Sequence, residues 1–131
     1  MDKKDIEIQK EIFQSILFRN LERERAEKTI RSLNGKLRQY TKNEMIIQEE
    51  QELHEIGILI SGELCKVQYY PDGTEQMVQK LLPSYVVGLE IAISQKKTSP
   101  YSVYAVEEAS IFWFPVKYLE QEGYLPESDR I

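Results

Sequence analysis

The stretch that decides the reading of this chain is Pro83-Ser84-Tyr85-Val86-Val87-Gly88-Leu89-Glu90-Ile91-Ala92-Ile93-Ser94, continued by Gln95-Lys96-Lys97-Thr98-Ser99-Pro100-Tyr101-Ser102-Val103-Tyr104-Ala105. A short apolar run enters a glycine at Gly88, and helix-compatible residues follow over 89–94. A polar loop and an alternating strand over 101–106 complete it. Glycine lets the backbone approach a ligand closely, and a helix that opens just after it aims free N–H groups into the same space. A β-fold makes a pocket for a small polar molecule in this way. The plainer alternative is a strand–turn–strand corner with no ligand.

Working outward, alternation over 36–41 predicts a strand, closed by the Lys42-Asn43 turn. Met45, Ile46 and Ile47 mark a buried strand, and the polar run 49–55 reads as a loop. Residues 56–60 are apolar around Gly57 and end at Ser61-Gly62. Cys65, Val67 and Tyr69 share one side of the next strand, which places Cys65 in the core. Tyr70-Pro71-Asp72-Gly73-Thr74 is a hairpin turn, since proline presets φ and the Asp-Gly pair tolerates positive φ. A partner strand returns over 75–82. Ile111, Phe112, Trp113 and Phe114 form the last buried strand, stopped by Pro115.

Helices flank these strands. Ile8, Ile12, Phe13, Ile16 and Leu17 fall on one helical face, with Asn20 as a break and N-cap. A second helix over 22–33 carries Ala26, Ile30 and Leu33 on one side and ends at Asn34-Gly35. Its spacing offers Glu24–Lys28 and Glu27–Arg31 as i,i+4 pairs. A short helix over 116–122 is expected to end at Gly123, with a breaker at Pro126 and a further cap at Ser128. Two helices and then roughly eight short strands predict a mainly β fold, a small barrel or jelly roll. The expected organisation is one domain, with helices over 5–34, a β-roll over 35–115 and the start of a C-terminal helical segment over 116–131. The stop at Ser128-Asp129-Arg130-Ile131 suggests a fragment of a longer protein.

Composition narrows the function. A net charge of −5 over 131 residues argues against nucleic-acid binding by this segment. No signal-peptide core or membrane-length apolar run is present, and the single cysteine suits a reducing compartment, so a cytoplasmic location is expected. The sole histidine, His54, sits in a polar loop, too little for a catalytic or metal site. Cys65 alone cannot hold an iron–sulfur cluster, which needs about four thiolates. No nucleophile elbow, phosphate loop or dinucleotide fingerprint occurs. The sequence therefore points to no catalytic residues, no metal and no cofactor. Tyr101 and Tyr104 are candidates for a pocket wall, although tyrosine also suits any half-buried sheet surface.

Taken in order, several segments resemble one family. They are Leu17-Phe18, Lys42-Asn43-Glu44-Met45-Ile46, Ile58-Leu59-Ile60-Ser61-Gly62-Glu63-Leu64, Asp72-Gly73-Thr74-Glu75, Val87-Gly88 and Ser102-Val103-Tyr104-Ala105. The chain resembles the cyclic-nucleotide-binding-like sensor domain of bacterial transcription regulators related to the catabolite activator and fumarate–nitrate regulators. The resemblance implies a double-stranded β-roll with an effector pocket inside. It also implies a homodimer, and DNA contact only through a C-terminal helix-turn-helix domain outside this chain. The implied effector-binding residues are Gly88, Leu89, Glu90, Ile91, Thr98, Ser99, Pro100, Tyr101 and Ser102.

The departures from that pattern carry the functional expectation. Nucleotide-binding members have a glutamate directly after the cassette glycine, for the ribose, and an arginine near the loop end, for the cyclic phosphate. Leu89 follows Gly88 here, with Glu90 one place later and turned about 100° away. Ser99 stands at the arginine's position, followed by Pro100. Without a guanidinium, a buried phosphate loses its bidentate partner, and Lys96 and Lys97 are poorer substitutes. The expected effector is an unidentified small molecule other than cyclic AMP. The alternatives are a ligandless β-roll for protein interaction and, more weakly, a barrel enzyme with an unseen cofactor. A pocket packed shut by Leu89, Ile91 and Tyr101 favours the ligandless roll.

Overall fold

The computed structural model describes residues 3–121. Two helices, α1 (Lys3–Gln14) and α2 (Arg23–Ser32), precede the strands β1 (Lys36–Tyr40), β2 (Met45–Ile47), β3 (Glu55–Ser61), β4 (Leu64–Tyr69) and β5 (Glu75–Leu81). After them come β6 (Val86–Val87), the one-turn α3 (Leu89–Ala92), β7 (Ser102–Ala105), β8 (Ala109–Pro115) and α4 (Val116–Gln121). The strands form two antiparallel four-stranded sheets, ordered β1-β8-β3-β6 and β2-β7-β4-β5. This is the expected jelly roll. The readings at Glu122, Gly123, Pro126 and Ser128 lie outside the described residues.

The continuous apolar run in β3 is explained by cover on both faces. Ile56, Ile58 and Ile60 pack with Ile12, Phe18, Ala26, Leu33, Phe114 and Leu119 beneath the helices. Leu59 points the other way, into an inter-sheet cluster with Ile47, Leu64, Leu81, Val87, Ile91, Tyr101, Val103, Ile111 and Trp113. Trp113 keeps its indole N–H satisfied by donating to the Tyr40 hydroxyl at 2.8 Å. Across the surface of the first sheet, Arg38 donates to both Glu55 oxygens at 3.1 and 3.2 Å. Both side chains face solvent. Arg38→Ala is therefore expected to lower stability by less than about 1 kcal/mol, an effect that fades in high salt during urea titration.

The structure corrects several local expectations. Helix α1 stops at Gln14 because the Ser15 hydroxyl and the Ser15 N–H both turn back to the Ile12 carbonyl. Ile16, expected on the buried face, is 57% exposed, and Phe18 takes the buried place. Glu22, not Asn20, stands at the N-cap of α2, without a side-chain capping bond. An ion pair on that helix joins Arg23 to Glu27 at 3.3 Å, an i,i+4 pair other than the two expected.

The correction with most consequence concerns β4. Cys65 and Tyr69 lie toward the outer side of the strand, half-buried and exposed, whereas Val67, expected beside them, is buried. Leu64 and Lys66 stand opposite Ala105 and Val103 of β7, both buried in the inter-sheet cluster. The pleat alternates, so Leu64 and Lys66 face inward and Cys65 faces out. Cys65 is only half-buried and borders an outer groove beside Lys42 and Tyr104.

Candidate functional site: the glycine corner and the roll interior

At the end of β6 the chain turns through Gly88 with φ +82°, a left-handed conformation that favours glycine. A Cβ there would lie 2.5 Å from the Leu53 Cδ2 atom. The Gly88 carbonyl accepts from the Ala92 N–H at 2.9 Å, starting α3. The far end of α3 is held by side chains. The Ser94 hydroxyl donates to the Ile91 carbonyl at 2.7 Å and accepts the Lys97 N–H at 3.0 Å. The Lys97 ammonium donates to the Ala92 carbonyl.

The returning loop runs beside the 49–53 segment. Leu53 N–H donates to the Lys97 carbonyl at 2.7 Å, Ser99 N–H to the Gln51 carbonyl at 2.9 Å, and Glu50 N–H to the Ser99 carbonyl at 2.6 Å. Ser99 is 2% exposed, and its hydroxyl donates to the Tyr101 carbonyl at 2.5 Å. The Ser99 side chain, expected at the arginine's position, is thus consumed by the turn.

Between this loop and α3 lies a groove of about 690 Å³. Five of the nine expected residues line it: Glu90, Ile91, Thr98, Ser99 and Pro100. Glu49, Glu50 and Lys96 are on its wall as well. Three carboxylates therefore face one ammonium, an unfavourable field for a phosphate. The other four expected residues lie elsewhere. Gly88 opens α3 at its N-cap and does not line the groove. Leu89 packs against the helix-side cluster. The Ser102 hydroxyl accepts the Glu49 N–H at 3.0 Å. Tyr101 is buried between the sheets, 7% exposed.

Glu90, expected to turn away, borders the groove and accepts a hydrogen bond from the Tyr101 hydroxyl. Burial, and then this contact with the carboxylate, push the Tyr101 phenol above its ordinary value of 10. Half-buried Tyr85 is raised too, by burial and by the charge of Glu90. The Lys66 ammonium lies 4.2 Å from the centroid of the Tyr101 ring. Tyr104, the other candidate wall residue, faces outward and shares a 2.6 Å hydrogen bond with Tyr69.

Sequence reading missed Lys66. The signal was the phase of the strand: a lysine two places from an inward leucine is itself inward. Choosing the richer apolar set as the core side hid it. Among the described residues no group of three His, Cys, Asp or Glu side chains is placed to hold a metal ion.

Comparison with known proteins agrees with the fold. The family model described as the cyclic nucleotide-binding domain matches residues 37–122, so the chain belongs to that family. Similar solved structures include the sensor domain of the transcriptional regulator DNR from Pseudomonas aeruginosa, at 19% identity and TM-score 0.76. That match covers 94% of this chain and 81% of the other. The catabolite activator protein of Thermus thermophilus matches at 17% identity and TM-score 0.72, over 82% of this chain and 51% of the other. A candidate cyclic nucleotide binding protein from Ruegeria pomeroyi matches at 19% identity and TM-score 0.76, over 90% and 52%. The chain thus spans about half the length of the Ruegeria and Thermus proteins. No curated protein sequence matches it.

Proposed function

We propose that this chain is the effector-sensing part of a transcription regulator of the catabolite-activator and fumarate–nitrate type. Its β-roll binds a small molecule other than cyclic AMP and relays that event to a DNA-binding domain outside the chain. The observation that carries this reading is the state of the cassette. Ser99, which on this reading stands where nucleotide binders have the phosphate-binding guanidinium, has its hydroxyl tied into the turn, while Glu49, Glu50 and Glu90 line the adjoining groove. A cyclic phosphate placed there meets negative charge and no bidentate donor.

In this reading 35–115 is the sensing unit, and the segment from 116 begins the coupling helix of a cytoplasmic homodimer. The effector acts by favouring one of two arrangements of that helix. Binding, not catalysis, is the activity. Isothermal calorimetry with cyclic AMP is expected to give no heat of binding up to about millimolar ligand. Micromolar affinity overturns the reading.

A second reading has one observation in its favour. Ile91 and Tyr101 are both buried in the inter-sheet cluster, as a ligandless interaction roll requires. Leu89 does not join them. Mass spectrometry of the natively purified protein separates the two: a co-purified small molecule supports the sensor, and its consistent absence together with capture of a protein partner supports the interaction roll.

A further inference from the structure

The interior of the roll holds one charge that the cassette does not explain. Lys66 is on β4 in the inward phase, opposite buried Val103, and half-buried. None of the ion pairs among the described residues involves it. Its ammonium rests instead on the face of the Tyr101 ring, 4.2 Å from the centroid. The nearest polar link beyond that ring is the Tyr101 hydroxyl donating to Glu90, so the carboxylate is engaged by the phenol.

A cation over a π face is held more weakly than one that donates to an anion, because the ring offers a quadrupole and the anion a full charge. An inward lysine partnered only by a ring is therefore ready to exchange that ring for an anionic group. The cassette side offers such a group no place, since Glu49, Glu50 and Glu90 line the groove there and Lys96 alone opposes them. The Lys97 ammonium already donates to the Ala92 carbonyl.

The geometry points to Lys66 as the anchoring cation of the effector site, and to a small organic anion with a flat apolar body as the effector class. The anionic group takes the Lys66 ammonium. The apolar body stacks on the face of the Tyr101 ring that the ammonium leaves. This inference rests on the sensor reading given above and specifies its ligand.

The test uses the 131-residue chain, with benzoate as the charged probe and benzamide as its neutral counterpart, followed by ¹⁵N–¹H correlation spectra up to about 10 mM probe. Benzoate is expected to shift the amides of Lys66, Tyr101 and Val103, and to bind about tenfold more tightly than benzamide. Lys66→Gln should lose that tenfold preference, Lys66→Arg should keep it, and Lys96→Gln should leave it unchanged. Retention of the native spectrum by each variant shows that it is folded. Equal binding of the two probes, or full benzoate affinity in Lys66→Gln, overturns the anchor while the small-molecule pocket stands. No interior shifts from either probe overturn the anchor and the accessible interior that the sensor reading needs.

Discussion

Gly62→Ala is expected to cost about 3 kcal/mol of stability. Gly62 joins β3 to β4 with φ +92°, so any side chain there carries the left-handed penalty of about 1 kcal/mol. The second contribution is contact with backbone. An added Cβ would lie 2.3 Å from the Glu108 carbonyl oxygen and 2.7 Å from the Ala109 Cα, at the entry to β8. Neither atom belongs to a flexible side chain, so the two turns must separate. Gly73→Ala isolates the first contribution, because Gly73 has φ +88° and nothing within 4 Å of its Cβ position. Urea denaturation of both variants should show a loss about three times greater at Gly62. Equal losses would show that the close approach of the two turns contributes nothing.

Tyr101→Ala is expected to cost about 3 kcal/mol or more, and Tyr101→Phe only about 1 kcal/mol. The first removes a ring that is 7% exposed and fills the inter-sheet space under Lys66. The second removes only the hydroxyl that donates to Glu90, whose carboxylate borders the open groove and regains water. The pH dependence follows from the raised Tyr101 phenol. Its folded value lies above the unfolded value of 10, through burial first and Glu90 second. Stability from this group is therefore complete below pH 10 and falls as the pH rises beyond it. Tyr101→Phe should flatten that alkaline decline without abolishing it, since Tyr85 is raised in the same direction. An unchanged alkaline slope in Tyr101→Phe would mean that the phenol titrates at its ordinary value in the folded chain.

Much of the fold was legible because its signals are local. The hairpin at Asp72-Gly73, the glycine corner at Gly88 and the apolar run ending at Ser61-Gly62 each need only their neighbours in the chain. The helix ends were less legible. Ser15 ends α1 by bonding the Ile12 carbonyl, which a periodicity of apolar residues does not register. The candidate site was half legible. Glu90, Ile91, Thr98, Ser99 and Pro100 come together on one groove, whereas Leu89 turns to the helices and Tyr101 to the interior. Glu49 and Glu50 reach the groove from a segment about forty residues away in the chain, across the bonds that Glu50 and Leu53 make to the cassette loop.

Sequence alone determined the order of the strands along the chain and the membership in a β-roll family, because each is a matter of which residue stands at which place. Tertiary structure decided which face of β4 is the inside. That choice depends on the register between β4 and β7, which sets Lys66 opposite Val103 and turns Cys65 outward. A strand's alternation divides its residues into two sets, and only the partner strand and the sheet packed against it say which set meets the core.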